Sequence, residues 1–322
     1  MEEYRTMNAK PFVKWAGGKG QLLSQLDELL PQQLDGRPFT YIEPFVGGGA
    51  MLFHMLKKHP EIRRAVINDI NTYLVTAYRV IKKRPEELIE RLSALERQYF
   101  ALSSEEAKKD FYLGVREIFN KEELDEIDRT QYLIFLNRTC FNGLYRENAK
   151  GKFNVPFGRN LHPTICNEET ILADSKILNR VDVTILNGDF SETVHHLDDN
   201  GMNFVYFDPP YRPLSATSSF SSYVKEEFND EEQTRLGNFA KEIGGRLGVY
   251  WMMSNSDCSA KNPEDLFFEN MYGHYYINRV YAARAINANP AKRGKLTELV
   301  ICNYPSDDSV LRVAENDVLY GM

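Results

Sequence analysis

The chain has 322 residues, 43% of them hydrophobic and 26% charged, and carries a net charge of -7. That length buries one large core or two modest ones, and the acidic balance argues against a protein that coats nucleic acid by bulk electrostatics. No uncharged apolar run approaches the ~18 residues of a membrane span, and the polar, acidic start "MEEYRTMNAKPF" is unlike a secretion signal. A globular cytoplasmic protein without membrane contact is expected. Cys140, Cys166, Cys258 and Cys302 never form a C-x-x-C pair, and His195 and His196 stand outside any H-E-x-x-H pattern. Neither a disulfide framework nor a metal site is therefore indicated.

In chain order, the first glycine-rich stretch is "KWAGGKGQLL" at residues 14–23. It is not a phosphate loop, because Lys19 is followed by Gly20 rather than Ser or Thr. Two readings stand: a glycine turn before the helix "QLLSQLDELL", or a loop that brings Trp15 and Lys19 to a ligand. Next, "YIEPF" (41–45) and "AVIND" (65–69) read as short buried strands, with a glycine turn and the helical pattern "GGGAMLFHMLKK" between them. This is one β-α-β unit. From about 72 to 166 the pattern is mainly helical and charged, and ends in "RTCFNGLYRENAKGKFNVPFGR" (138–159), where five basic residues face a single acid, Glu147. The stretch is either a solvated loop or a local nucleic-acid surface on an acidic protein. A second basic cluster, "AKRGK", lies at 291–295. The "NRT" at 137–139 matches a glycosylation acceptor but lacks a secretion context.

Three more strands are expected at "VTILNGDF" (183–190), "NFVYFDPPY" (203–211) and "LGVYWMMSN" (247–255), with the helical pattern "DEEQTRLGNFAKEIG" before the last and closing strand material at 291–303. Strands alternating with helices imply an α/β fold with a mostly parallel, doubly wound sheet. Its site should lie at the carboxyl ends of the strands.

Those ends carry the informative residues. "EPFVGGG" (43–49) puts Gly47 and Gly49 where backbone can approach a ligand near a helix N-terminus. Asp69 ends the second strand, where a ribose hydroxyl pair is commonly held, although an Asp there also suits a helix cap. Asp189 and Phe190 add an acceptor and a ring after the third strand. Together these point to a nucleoside-containing cofactor. At the fourth end, Asp208 is held extended by the proline after it, while Pro209 and Pro210 lack N–H donors and fix φ. A rigid row of acceptors beside the Tyr211 ring suits a planar amino group, whose lone pair such acceptance would free for an electrophile.

"KWAGGK", "EPFVGGG", "IND", "NGLYR…GKFNVPFGR", "GDF" and "FDPPY" together resemble the Dam-type (D12 class) DNA N6-adenine methyltransferases, from about Lys10 to Tyr304. The resemblance implies a Rossmann-like, S-adenosyl-L-methionine-dependent methyltransferase sheet with an inserted helical target-recognition domain. The methyltransferase domain would span 1–72 and 167–305, the insertion 73–166, and a tail 306–322. It implies cofactor contacts from Trp15, Lys19, Phe45, Gly47, Gly49, Asp69, Asp189, Phe190 and Asp208, with Asp208, Pro209, Pro210 and Tyr211 as the catalytic motif. For double-stranded DNA it implies contacts from Lys14, Asn142, Leu144, Arg146, Pro156 and Arg159, typically at 5'-GATC-3'. S-adenosyl-L-homocysteine would be the product, no metal is implied, and nothing requires more than a monomer, nucleoid-associated through its DNA. One departure is Asn160, where many relatives carry an aromatic after "FGR". An RNA or protein-glutamine amino group as substrate, or a non-catalytic DNA-binding role on the same scaffold, are the alternatives, and the basic "NGLYR" segment favours DNA.

Overall fold

Successive side chains of a strand point to opposite faces, and the central strands here are apolar on both. Tyr41, Phe204, Tyr206 and Met252 enter one core, while Ile42, Val205, Phe207, Trp251 and Met253 enter the other. Strands of this kind need a covering layer on each side. The computed structural model describes residue 4 and residues 6–121, 123–214, 228–282 and 296–305. The stretch "LSATSSFSSY" (apart from Leu214), which follows the Asp-Pro-Pro-Tyr motif and which the sequence suggests as a mobile loop over the bound base or DNA, the cluster "AKRGK" and the tail 306–322 lie outside the described residues.

Among the described residues, seven strands form one sheet: β1 (Phe39–Glu43), β2 (Ile62–Asp69), β3 (Asp182–Asn187), β4 (Met202–Phe207), β5 (Val249–Ser256), β6 (Tyr276–Ala282) and β7 (Leu296–Cys302). Their order is β3-β2-β1-β4-β5-β7-β6. The first five are parallel, and β7 runs against both of its neighbours. The α/β expectation with a mostly parallel sheet therefore holds. Two details differ from it. Strand β6 was not anticipated, since "YINRVYA" mixes polar and apolar residues at the sheet edge. Strands β1 and β4 stop at Glu43 and Phe207, short of "PF" and "DPPY", because the prolines that follow have no N–H to continue a ladder.

One face is covered by α2 (Ala50–Lys58), α3 (Thr72–Lys83) and α7 (Glu168–Leu178); α1 (Leu23–Glu28) adds Leu26 to the same core. On this side α4 (Pro85–Ala101), α5 (Glu105–Phe119) and α6 (Glu126–Thr139) extend the core away from the sheet, with α3, α4 and α5 all packed on α6. Helix α3 also touches β2 and β3, so the helical stretch shares one continuous core with the sheet. Side chains of Asn71, Ser104, Asp125 and Asn167 cap α3, α5, α6 and α7 by accepting from first-turn N–H groups. The other face is covered by α8 (Asp230–Gly244) and the short helix Phe267–Tyr272. Among the described residues no helix is long and apolar enough to cross a membrane. Cys140, Cys258 and Cys302 are buried, Cys166 is half-buried, and all four are free thiols.

The basic segment folds back on itself after α6. Cys140 bridges Phe157 and Glu147 bridges Phe153, so "NGLYR" and "NVPFGR" lie side by side. Asn137 ties them to the N-terminal loop: its Nδ2 donates to the carbonyls of Lys14 (2.8 Å) and Gly143 (3.0 Å), and its Oδ1 accepts from the Lys14 amide. The "NRT" acceptor residue is thus buried and fully used.

Asn68, buried at the end of β2, plays the matching part across the sheet. Its Nδ2 donates to the carbonyls of Pro44 and Gly188, each at 3.0 Å, and so fixes the exits of β1 and β3. Replacing it with Ala strands both carbonyls, which at about 1–3 kcal/mol for a lost buried partner should lower unfolding stability by that order in urea titration. An unchanged midpoint would show that these strand exits are held by other contacts.

Candidate functional site

The carboxyl ends of β1, β2, β3 and β4 open onto one cavity of about 1270 Å³. All nine residues expected at a cofactor line it: Trp15, Lys19, Phe45, Gly47, Gly49, Asp69, Asp189, Phe190 and Asp208, as do Pro209, Pro210 and Tyr211. The topology brings them together because each parallel strand delivers its exit to the same edge.

The glycine turn after β1 is built by its neighbours. Gly49 has φ of 80°, and a Cβ there would collide with the Tyr78 hydroxyl, which donates to the Gly47 carbonyl at 3.0 Å. Asp69 accepts from the Gly47 amide (2.9 Å) through one oxygen and from the Asn71 amide (2.8 Å) through the other. The cap of α3 is Asn71, not Asp69, so the capping alternative for Asp69 falls away. Burial pushes its carboxyl up from the ordinary range against those two amides. Trp15 covers the turn and stacks on Tyr145 of the basic segment, with centroids 5.0 Å apart and an interplanar angle of 28°. One wall of the cavity is therefore shared between the N-terminal loop, the glycine turn and the helical region.

At the exit of β4, the Lys19 ammonium lies 2.7 Å from Asp208 Oδ1, an ion pair without hydrogen-bond alignment. Lys19 is 5% exposed. It also donates to the Gly17 carbonyl at 2.8 Å and sits 4.4 Å from the centre of the Tyr211 ring. Burial raises the Asp208 pKa to about 6, with Lys19 pulling it down and Glu298 pushing it up. Beneath it, burial holds the Glu43 carboxyl well above its ordinary pKa, and the Tyr41 hydroxyl donates to it at 2.8 Å. The Pro210 carbonyl accepts from Gln233 Nε2 at 2.9 Å, which turns it toward α8. Among the described residues no hydrogen-bond donor is placed on Asp208 Oδ1 or on the Pro209 carbonyl, which leaves both as acceptors at this exit.

At the β3 end the ring of Phe190 is a buried floor, 5.4 Å from Phe45 and with Arg235 stacked over it at 4.1 Å. Arg235 also grips both oxygens of Asp189, at 2.9 and 2.7 Å. This fork holds the Asp189 carboxyl far below the usual range, so it is an ionised acceptor whose orientation Arg235 sets.

Of the six residues expected at DNA, Arg146 lines the cavity and bonds Asn154 Oδ1 at 2.8 Å. Lys14 packs along Gly143, and Asn142 adopts φ of 57°. Leu144 is 42% exposed. The Pro156 carbonyl accepts from the Phe141 amide at 2.9 Å. These five share the surface around the end of α6. Arg159, 91% exposed, reaches out toward Glu105.

Several lining or contacting residues were not singled out from sequence, Ile70, Tyr145, Glu43, Arg235 and Glu298 among them. Ile70, 72% exposed at the cavity wall, follows the strand-ending acid and could have been found by that position. Tyr145 lies inside "NGLYR". Glu43, Arg235 and Glu298 had no local signal, because each acquires its partner only through strand order or helix packing.

The donor set matches a nucleoside bearing a charged tail. It combines aromatic faces at Trp15, Phe45 and Phe190, carboxylates at Asp69 and Asp189, and half-buried glycine backbone at Gly47 and Gly48 beside a helix start. Comparison with known proteins agrees. A family model described as D12 class N6 adenine-specific DNA methyltransferase matches residues 15–286. The chain is 47% identical over 302 residues to the type II methyltransferase M.MjaIII of Methanocaldococcus jannaschii, covering 92% of this chain and 100% of that one. It is 38% identical to the type II methyltransferase M1.LlaDCHI of Lactococcus lactis subsp. cremoris (92% and 96% covered). It is 31% identical to the DNA adenine methylase of Escherichia coli strain K12, again with 92% and 96% covered. With the family model spanning most of its length and full-length relatives above 30% identity, the chain belongs to the D12 class of N6 adenine-specific DNA methyltransferases.

Proposed function

We propose that the protein transfers the methyl group of S-adenosyl-L-methionine to N6 of an adenine extruded from duplex DNA, with 5'-GATC-3' as its target and S-adenosyl-L-homocysteine as product. The observation that carries this reading is the meeting of the Asp208–Tyr211 row with the β1, β2 and β3 exits in one cavity. At about 1270 Å³ that cavity exceeds the roughly 300–1,000 Å³ of a single-ligand pocket. A cofactor and an extruded base have room side by side.

Residues 1–72 and 167–305 are the proposed methyltransferase part, and 73–166 the proposed recognition part. S-adenosyl-L-methionine, when bound, supplies an electrophilic sulfonium methyl. On this reading Trp15, Phe45 and Phe190 give the cofactor apolar faces, Gly47 and Gly49 admit it close to the backbone, and Asp69 and Asp189 accept from its hydroxyl and amino groups. Lys19 holds Asp208 ionised. Asp208 and the Pro209 carbonyl accept the two hydrogens of the adenine amino group and free its lone pair, Pro210 stiffens the turn, and Tyr211 stacks on the base. Extruding the base costs a few kcal/mol. Contacts from Lys14, Asn142, Leu144, Arg146, Pro156 and Arg159 to the duplex offset that cost. One copy supplies every group named, which suits a monomer acting on cytoplasmic, nucleoid DNA.

DNA incubated with the protein and labelled cofactor should acquire N6-methyladenine confined to GATC when modified bases are sequenced. Modification elsewhere overturns the target, and unmodified DNA overturns the activity. In the same assay, run below its melting temperature, Asp208→Ala should lose about 100-fold or more in rate, and that melting temperature should itself fall because Lys19 loses its counter-ion; wild-type turnover would remove Asp208 from the chemistry.

The acceptor form of Asp208 is the carboxylate. With its pKa near 6, kcat should fall as pH drops through about 6 and level off above it. Lys19 pulls that pKa down, so Lys19→Met should shift the acid limb to higher pH. A limb that stays in place would mean another group titrates there.

A further inference from the structure

We propose that Glu298 is a positioning residue for the target base, holding the Tyr211 ring at the angle on which the extruded adenine stacks. The proposal rests on the DNA reading above. Strand β7 runs against β5, so its first residues, not its last, lie at the catalytic edge, and Glu298 stands opposite Ser256 at the end of β5. A strand parallel to the others would present its far end there. From this place Glu298 Oε2 accepts from the Tyr211 hydroxyl at 2.7 Å, the length of a charge-assisted bond.

The backbone on both sides of Tyr211 is already fixed. The Pro210 carbonyl accepts from Gln233, whose Oε1 accepts from Asn255 Nδ2 at 3.0 Å. The Arg212 amide donates to Asn255 Oδ1 at 3.2 Å, and the Arg212 carbonyl accepts from Ser256 Oγ at 2.6 Å. Gln233 and Asn255 are both buried. What is left free in Tyr211 is its side chain, whose swing about χ1 carries the ring and its hydroxyl together. Lys19 lies over the ring centre and sets which way the ring faces. The hydroxyl bond anchors the far end of the ring against that swing. Glu298 does this against an electrostatic penalty, since its charge also pushes the Asp208 pKa up. Small displacements of a reacting partner carry large rate losses, so a loosened stacking surface should be read in kcat.

The test is a double-mutant cycle on the full chain. Glu298→Ala and Tyr211→Phe should each lower kcat for DNA methylation about tenfold, with KM for S-adenosyl-L-methionine within about twofold of wild type. The double variant should be no slower than either single one. Glu298→Gln keeps an acceptor at the same reach, so it should retain most of the rate while moving the acid limb of the pH profile downward, because the charge that raised the Asp208 pKa is gone. Losses that multiply in the double variant, or a Glu298→Gln as slow as Glu298→Ala, would overturn the positioning role. Wild-type protein that leaves DNA unmethylated overturns the DNA reading and this inference with it. Wild-type methylation unaffected by Glu298→Ala overturns the inference alone.

Discussion

The site depends on a cation with almost no access to water. Lys19 enters from the N-terminal loop, far in sequence from β4, and its ammonium is compensated by Asp208 at 2.7 Å and the Gly17 carbonyl. Removing an ion from water costs several kcal/mol unless close partners offset it, so the loop is committed to the β4 exit. That commitment carries other positions with it. Trp15, four residues earlier, is laid over the glycine turn and against Tyr145. Lys14 is bound through its backbone to Asn137 of α6. One ion pair thus joins the cofactor end of the cavity, the acceptor row and the helical region that carries the basic surface.

Around it, the strand exits are held by side chains that serve the neighbouring exit rather than their own. Asn68 of β2 holds the carbonyls after β1 and β3, Asp69 holds the glycine turn after β1, and Gln233 of α8 holds the turn after β4. Parallel strands end in unpaired backbone groups at one edge, and a buried group of that kind needs a partner. The same demand that keeps the edge stable leaves a few residues at the cavity wall. At β4 these include Asp208 and Pro209.

Much of this was legible in the residues. The order of strands and helices, the glycine turn and the Asp-Pro-Pro-Tyr exit were read from local patterns, because period, proline and glycine act within a few residues. The convergence of Asp69, Asp189 and Asp208 on one cavity followed from placing each at a strand exit, while Trp15 and Lys19 were assigned there by the family resemblance alone. Two choices could not be made locally. Asp69 could have been a cap until Asn71 was seen to take that place. Lys19 could have belonged to a bare turn until β4 supplied its counter-ion.

The sequence by itself determined the α/β class, the family and the set of polar groups at the strand exits, since these rest on short-range backbone preferences and on motifs a few residues long. Only the tertiary structure decided how those groups are paired. Arg235 on Asp189, Glu298 on Tyr211 and Gln233 on Pro210 join residues 23 to 87 positions apart. Such partners are selected by helix packing and by the reversal of β7, which bring together groups that lie far apart along the chain.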